Sequence, residues 1–168
     1  LDDYEADDIM ATLAKQAEDK GIETELISGD YDILQAISPM TRVFITKSRE
    51  PLNSMIPFNE QLFEEKYGVK LYQFLDYKSL VGDSSDNIPG VTKVGPVAAK
   101  KLLAKYETLE GIYENIALLY FNDQNLKQAK KFYKKALKYF QIEYIDNNHP
   151  DIQRLQQIIQ QLSITSNN

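Results

Sequence analysis

Residues 81–103 form the stretch around which the chain is organised, and they read VGDSSDNIPGVTKVGPVAAKKLL. The stretch begins with two carboxylates three residues apart, Asp83 and Asp86, and continues through a turn at Pro89-Gly90. It ends in a pattern typical of a basic amphipathic helix. Carboxylates that could bind metal therefore lie next to amides and lysines that could bind phosphate. We expect a nucleic-acid backbone to meet a metal site here.

The segment from Pro89 to Gly95 predicts a tight turn between two helices. Gly90 and Gly95 allow positive φ and let a phosphate approach backbone N–H groups closely. Pro96 suits the first position of the next helix, whose free amides favour an anion. Four nearby lysines add positive charge: Lys93, Lys100, Lys101 and Lys105. Such contacts read the nucleic-acid backbone rather than its sequence. The alternative is a plain helical hairpin with glycine caps.

Acidic side chains form three groups, at the start of a predicted helix, after a predicted strand and within residues 81–103. Their members are Glu5, Asp7 and Asp8, then Asp30 and Asp32, then Asp83 and Asp86. Mg²⁺ and Mn²⁺ prefer oxygen ligands, and two such ions about 4 Å apart can activate water for phosphodiester hydrolysis. Each group also has a structural interpretation, because acids complement a helix dipole and cap turns. Their combination favours a metal site.

The charge distribution says more than the net charge. A net charge of −6 would argue against a nucleic-acid partner, but acids crowd residues 2–32 whereas lysines dominate residues 93–105 and 127–138. That distribution suits a metal-dependent enzyme acting on phosphate; two solvated helix faces are the alternative. The chain has no cysteine, which excludes thiol catalysis and thiolate metal sites. No segment predicts a membrane span, and we expect a cytoplasmic protein.

The first half of the chain predicts α/β architecture with a mainly parallel sheet, because helical and strand patterns alternate. Predicted helices lie at 3–20, Tyr31–Ile37, Asn59–Tyr67 and Leu71–Val81, predicted strands at Ile22–Ile27 and Arg42–Thr46, and a loop at Glu50–Pro57. Ligands of such sheets sit beyond the carboxyl ends of strands. Asp30 and Asp32 fall at that location.

The second half predicts helices only. They lie at Thr108–Ile116, at Leu126–Tyr144 and from Pro150 onward, followed by a frayed polar tail at Ser163–Asn168. The composition shifts near Ile116–Asn122, towards Asn, Gln, Lys, Tyr and Ile. We therefore predict a boundary there, with residues 1–116 in one part and residues 117–168 in an all-α tail.

With these residues assembled, the chain resembles the 5′–3′ exonuclease domain of bacterial DNA polymerase I and the related flap endonucleases. The resemblance covers about residues 1–116 and rests on four ordered motifs: YEADD at 4–8, GDYD with LQ at 29–35, EKYG at 65–68 and GDSSDNIPGV at 82–91. It implies a PIN-like fold and a Mg²⁺- or Mn²⁺-dependent nuclease that cuts flaps and 5′ ends of branched or duplex DNA.

The resemblance also assigns roles to residues. It implies that seven acids match the family's metal ligands: Glu5, Asp7, Asp8, Asp30, Asp32, Asp83 and Asp86. Among these we predict Asp30, Asp32, Asp83 and Asp86 to be catalytic. It further implies that Gly90–Lys105 is a helix–three-turn–helix element that grips the duplex backbone, with a bound K⁺, through Gly90, Lys93, Gly95, Lys100, Lys101 and Lys105.

The chain departs from the family pattern in three places. In the family, an N-terminal strand and its neighbours carry further metal-binding aspartates, and a basic helical arch follows them. This chain starts after both, so we expect a fragment that is weak or inactive alone. The family usually has glycine where Lys93 stands and a Glu-Lys-Thr-like run where Pro96-Val97-Ala98 stands. The tail instead resembles a tetratricopeptide repeat, with Ala129 and Ala136 allowing close helix approach; a plain helical hairpin is the alternative. We expect His149 to be a cap residue.

Two other functions stay open at this point. The first is a noncatalytic duplex-binding module that keeps only the turn and the basic helix. The second is a protein-interaction module whose protein partner binds through residues 117–168.

Overall fold

The structure is a computed structural model that describes residues 4–47, 55–144 and 148–165. The chain divides into two compact units, residues 1–78 and 79–168. The first unit contains a three-stranded sheet with helices, and the second is largely helical. The predicted α/β class with a helical C-terminal part is therefore confirmed.

The first unit begins with a helix and then alternates strands with short helical segments. Its elements are α1 (Ala6–Glu18), β1 (Thr24–Ser28), a 3₁₀ turn (Asp32–Ala36), β2 (Thr41–Ile45), β3 (Ile56–Phe58), α2 (Glu60–Tyr67) and a second 3₁₀ turn (Leu71–Gln73). Helix α3 (Phe74–Val81) then leads into the second unit. The predicted helix at Tyr31–Ile37 is thus a single 3₁₀ segment, a geometry that is typical of short helical pieces.

The sheet of the first unit has the order β1-β2-β3. Strands β1 and β2 are parallel, with Thr24 opposite Thr41, and β3 runs antiparallel to β2, with Phe58 opposite Val43. Strand β3 corrects the sequence prediction, which placed Pro57 in a loop. Its position at the sheet edge explains why a residue without an N–H is tolerated there. The rest of that predicted loop, up to residue 54, lies outside the described residues.

Aromatic side chains form much of the core beside this sheet. Phe63 is fully buried and stacks on Tyr67 with ring centroids 4.7 Å apart, while Phe74 meets Phe63 edge-on at 5.0 Å. Tyr77 also contacts Tyr67, at 6.3 Å. Burial raises the pKa of Tyr67 to about 12, because its phenolate would lose hydration in this cluster.

The second unit begins with a two-stranded ribbon and continues as four helices. Its elements are β4 (Gly82–Asp83), β5 (Ile88–Pro89), α4 (Pro96–Tyr106), α5 (Leu109–Asn122), α6 (Leu126–Glu143) and α7 (Pro150–Thr165). Thr108 caps α5 by accepting a hydrogen bond from the Gly111 N–H at 3.2 Å. Helix α5 is longer than predicted and passes through the region where the sequence suggested a boundary, because the apolar pattern continues through residues 117–121.

Helix α6 packs against both α5 and α7. Ala129 and Ala136, the two small residues singled out in the sequence, are completely buried on α6. Arg154 of α7 makes a bidentate ion pair with Glu114 of α5, at 2.8 and 3.0 Å, and this pair raises the pKa of Arg154. Helix α7 reaches Thr165, so the tail predicted to fray from Ser163 is helical through that residue.

His149 lies just before α7, as a cap-region residue would. Its ring stacks on Tyr144 with centroids 3.6 Å apart, and its Nδ1 accepts a hydrogen bond from the Asp151 N–H at 3.4 Å.

In the part of the chain that the structure describes, no helix has the length and apolar character needed to cross a membrane.

Candidate functional site

The first acidic group lies at the start of α1. Glu5 is the N-cap residue, and its N–H donates to Asp8 Oδ2 at 3.2 Å. Asp7 is half-buried in the same turn, whereas Glu5 and Asp8 are exposed. This arrangement is typical of a capping box, so Glu5 and Asp8 have a structural role at the helix start. Their carboxylates remain accessible to a ligand.

The second group follows the carboxyl end of the parallel strand β1. Ser28 ends the strand, and its Oγ accepts a hydrogen bond from the Asp30 N–H at 3.1 Å. Asp30 Oδ1 in turn accepts from the Asp32 N–H at 2.9 Å. A hydrogen bond therefore links the two predicted ligands. Both lie just beyond the carboxyl end of β1, which is the location that the sequence predicted.

Asp32 has a second partner that the sequence did not indicate. Lys78 of α3 donates from Nζ to Asp32 Oδ1, and the two side chains are only 19% and 31% exposed. Helix α1 also packs on the 3₁₀ turn that begins at Asp32. In the first unit, the ammonium group of Lys78 compensates the negative charge of Asp32, one of the acids proposed to bind metal.

The third group lies in the ribbon of the second unit. Asp83 ends β4, and its Oδ1 accepts hydrogen bonds from both the N–H, at 2.9 Å, and the hydroxyl of Ser85. Asp86 is exposed in the turn, and Asn87 beside it has a positive φ of 57°. The Asp83 carboxylate is therefore held in a fixed orientation, whereas Asp86 faces solvent.

Two glycines, Gly82 and Gly90, lie where the ends of this ribbon come into close backbone contact. A Cβ on Gly90 would lie 2.2 Å from the Val81 carbonyl oxygen, and a Cβ on Gly82 would lie 2.3 Å from the Gly90 nitrogen. Gly82 also has a φ of +85°. Gly90 is consequently required because two backbone segments come into close contact there. The sequence suggested other reasons for this glycine, namely a positive φ and the approach of a phosphate.

The turn before α4 also differs from the prediction in its backbone. Gly95 has a φ of −92° and open space around its Cα, and neither Gly90 nor Gly95 adopts the positive φ that glycine allows. The positive φ of this turn occurs at Lys93, at 68°. The turn is closed by a hydrogen bond from the Val94 N–H to the Val91 carbonyl at 2.9 Å. A lysine therefore adopts the conformation that glycine would favour.

Helix α4 begins as predicted, with Gly95 as N-cap and Pro96 in the first turn. Ala99 and Leu103 are completely buried on one side. Lys101 and Lys105, one helical turn apart, are exposed, and Lys100 is half-buried. The first amides of α4 have no acceptor within the helix, and Gly95 provides no side-chain cap. The turn and α4 thus present lysines and N–H groups to solvent.

Comparison with protein families assigns both halves of the chain. Residues 69–165, more than half of the chain, match the 5′–3′ exonuclease C-terminal SAM fold, and residues 1–68 match the 5′–3′ exonuclease N-terminal resolvase-like domain. The first match includes the helices that we predicted to form a separate tail, and the tetratricopeptide resemblance is not confirmed.

Curated relatives agree with this assignment. DNA polymerase I of Bacillus caldotenax is 45% identical over 116 residues, which are 69% of this chain and 13% of the relative. DNA polymerase I of Bacillus subtilis is also 45% identical over 116 residues. The chain therefore spans about an eighth of the length of these relatives.

Solved structures show the same fold at lower identity. A T5 5′-exonuclease with bound divalent metal ions (zinc) is 18% identical, with a TM-score of 0.59, over 94% of this chain and 59% of that chain. A bacteriophage T5 flap endonuclease in a complex with DNA and metal ions gives the same values. From the family matches and this fold, the chain belongs to the 5′–3′ exonuclease family.

Proposed function

We propose that the chain is part of a structure-specific 5′–3′ exonuclease or flap endonuclease that hydrolyses DNA phosphodiesters with Mg²⁺ or Mn²⁺. The observation that carries the proposal is the match of both halves to the two parts of the 5′–3′ exonuclease family. The relatives are DNA polymerases, and the fold neighbour was solved with DNA and metal ions. We propose the same classes of substrate and cofactor for this chain.

The carboxylates of each unit fit a hard divalent cation. In the first unit, Asp30 and Asp32 present oxygen atoms beyond a strand end; the Asp32 N–H donates to Asp30 Oδ1, and Lys78 donates to Asp32 Oδ1. In the second unit, Ser85 orients Asp83. We propose Glu5, Asp7, Asp8, Asp30, Asp32, Asp83 and Asp86 as metal ligands, with Asp30, Asp32, Asp83 and Asp86 as the catalytic members. The bound ions would supply an activated water for attack on the phosphodiester.

The residues of the chain itself have two tasks in this proposal. Lys78 holds the Asp32 carboxylate in place and limits its repulsion with the neighbouring acids. The turn from Gly90 to Gly95 and the lysines of α4 bind the phosphate backbone of the duplex, through Gly90, Lys93, Gly95, Lys100, Lys101 and Lys105. Binding of this kind neutralises phosphates and falls with salt concentration.

The metal part of the proposal is tested by calorimetric titration of the full chain with Mn²⁺. We expect binding that weakens at least tenfold in the Asp30→Asn/Asp32→Asn variant and in the Asp83→Asn variant. Asp19→Asn is the matched control, because Asp19 is an acid at the other end of α1. Equal Mn²⁺ affinity in all four proteins would contradict the assignment.

Cleavage is tested with a labelled 5′-flap duplex in Mg²⁺, Mn²⁺ or EDTA. We propose that the isolated chain cleaves slowly, and that all cleavage requires a divalent ion and Asp83. Cleavage that continues in EDTA, or that is unchanged in Asp83→Asn, would overturn the nuclease proposal.

A second candidate is a duplex-binding module that acts without metal. It is favoured by the position of the turn and α4 in the second unit, where the Val91 N–H donates to the Leu80 carbonyl at 2.8 Å independently of any carboxylate. This candidate predicts duplex binding in EDTA that survives Asp83→Asn. Salt-sensitive binding without any metal-dependent cleavage by the full chain would favour it over the nuclease.

The potassium ion implied by the family belongs to the same proposal. Carbonyl oxygens of a turn are ligands that K⁺ accepts, so duplex binding in KCl should exceed binding in LiCl at equal ionic strength. Equal affinity in the two salts would remove K⁺ from the proposal.

A role on DNA also implies a compartment that contains DNA, and the cytoplasmic location stays a prediction. The division of the chain at residues 116–117 likewise stays a prediction.

A further inference from the structure

Helix α6 carries a lysine face that none of the proposed sites uses. Its members are Lys127, Lys130, Lys131, Lys134, Lys135 and Lys138, and we call them the α6 lysine face. At 100° per residue all six project to one side of the helix. The buried residues Ala129, Tyr133 and Ala136 lie on the opposite side. Five of the lysines are exposed and Lys130 is half-buried.

This face carries no internal charge compensation. Residues 126–142 contain six lysines and no acid, in a chain whose net charge is −6. Among the residues that the structure describes, no lysine of the face has a carboxylate partner. Lys135 does lie over the rings of Tyr113 and Phe132, at 5.3 and 5.5 Å. Lys127, Lys131, Lys134 and Lys138 are exposed to solvent.

The spacing of the lysines makes the absence of acids significant. Four pairs lie at i and i+4, including Lys127 with Lys131 and Lys134 with Lys138. Like charges at this spacing destabilise a helix, whereas alternating acids and bases would stabilise it. No acid within residues 126–142 offsets the repulsion of these six charges, whereas an anionic partner would relieve it.

The shape of the face identifies the kind of anion. From Lys127 to Lys138 it extends about 16 Å along the axis, at about 1.5 Å per residue. Duplex DNA carries about one phosphate charge per 1.7 Å of axis, so roughly ten phosphates occur over that length. Because α6 packs between α5 and α7, the row of charges is held straight, which suits a regular phosphate backbone better than a flexible chain.

We infer that the α6 lysine face is a second binding surface for the phosphate backbone of duplex DNA, in addition to the turn and α4. The inference rests on the proposed function for its choice of substrate class. Lys127, Lys131, Lys134 and Lys138 lie closest to the centre of the face and bind phosphate oxygens.

The test compares two triple variants of the full chain. In one, Lys131, Lys134 and Lys138 are each changed to Gln, and in the other each is changed to Arg. Gln and Arg are both good helix formers, and circular dichroism with thermal unfolding checks that the fold is kept. Binding of a labelled duplex is measured between 50 and 200 mM salt. A Lys100→Gln/Lys101→Gln variant measures the contribution of α4 separately.

The Gln variant should bind the duplex about tenfold to hundredfold more weakly near 100 mM salt. Its slope of log K against log salt should be shallower by about 2 to 3, because each phosphate contact contributes about 0.9. The Arg variant should bind as the unmodified chain does. Unchanged binding in the Gln variant, with binding lost in Lys100→Gln/Lys101→Gln, would overturn this inference and leave the proposed function standing.

Two other outcomes are equally decisive. Binding that needs the α6 lysine face but is indifferent to Lys100 and Lys101 would support the inference and remove α4 from the proposed function. No binding of duplex at 50 mM salt, combined with lysine-dependent binding of polyglutamate, would assign the face to an acidic protein and overturn the inference.

Discussion

Lys78 of α3 donates a hydrogen bond from its ammonium group to Oδ1 of Asp32, 46 residues earlier in the chain. The pair lies beside the aromatic cluster of Phe63, Tyr67 and Phe74, where Lys78 Nζ is 5.8 Å from the centre of the Phe74 ring. A carboxylate proposed to bind metal is therefore also part of the packing of its own unit.

Replacing Lys78 should destabilise the first unit. In Lys78→Gln the Asp32 carboxylate keeps its partial burial but loses its cation, and we expect a loss of about 1–2 kcal/mol in the free energy of unfolding. Urea unfolding followed by near-ultraviolet circular dichroism of the tyrosines measures it. Lys70→Gln is the control, because the Lys70–Glu64 pair is more exposed and should contribute less than about 1 kcal/mol. Equal losses in the two variants would contradict the special role of Lys78.

Gly90 should tolerate no side chain. In Gly90→Ala the new Cβ would meet the Val81 carbonyl oxygen at 2.2 Å, so the ribbon must separate, at a cost of about 2 kcal/mol or more. Gly95→Ala is the matched control: it has open space and a negative φ, and should cost less than about 1 kcal/mol. Thermal unfolding compares them, and similar midpoints would show that the backbone contact is unimportant.

Lys93→Gly should separate stability from binding. The φ of 68° at Lys93 strains a side-chain-bearing residue, and relieving it should stabilise the second unit by roughly 0.5–1 kcal/mol. Duplex affinity should fall at the same time, because a positive charge leaves the turn.

Gln124→Gly provides the control for Lys93→Gly. Gln124 has a φ of 57° in the turn between α5 and α6, so its replacement should stabilise by a similar amount and leave duplex affinity unchanged. A gain of affinity in Lys93→Gly would mean that backbone amides, rather than the lysine, dominate binding at the turn.

The tyrosine cluster predicts a loss of stability in strong alkali. The pKa of Tyr67 is raised to about 12 in the folded chain, whereas an unfolded tyrosine titrates near 10. The stabilisation is thus complete below pH 10 and is lost as the pH rises from 10 towards 12. Tyr67 is partly exposed, so solvent screening reduces its contribution to about 1 kcal/mol. Urea midpoints at pH 9 and pH 11.5 should therefore differ less in Tyr67→Phe than in the unmodified chain.

Tyr72→Phe serves as the control for that measurement, because Tyr72 is 69% exposed. A Tyr72→Phe chain should keep the full alkaline loss. The same loss in Tyr67→Phe would place its origin in other tyrosines whose pKa burial raises, such as Tyr77 and Tyr133.

The helices of this fold could be predicted because their signals are local. Periodic apolar residues, Pro96 and the capping residue at Thr108 all act within a few residues of the element that they define. Strand β3 was missed because three residues that include a proline carry almost no strand pattern, and only pairing with β2 makes them a strand.

The candidate site was predictable in its residue types but less so in its geometry. Asp30 and Asp83 could be proposed as ligands from the sequence, but the partner of Asp32 lies 46 residues away, and no local pattern encodes that contact. Likewise, the sequence places glycine at position 90 without saying which neighbour requires it. The close contact with Val81 explains that requirement, and it depends on how the ribbon folds back.

The backbones of Gly82 and Gly90 lie in close contact, so residues 83–89 form a loop whose two ends are held next to each other. Such a loop can exchange its acids for other polar residues without shifting the turn that follows it. Substitution of Asp83 and Asp86 would therefore remove the metal chemistry proposed for them and leave the duplex contacts proposed for Lys93 and α4. Under the proposed function, a derivative without the two acids would lose cleavage and keep duplex binding, as a DNA probe requires.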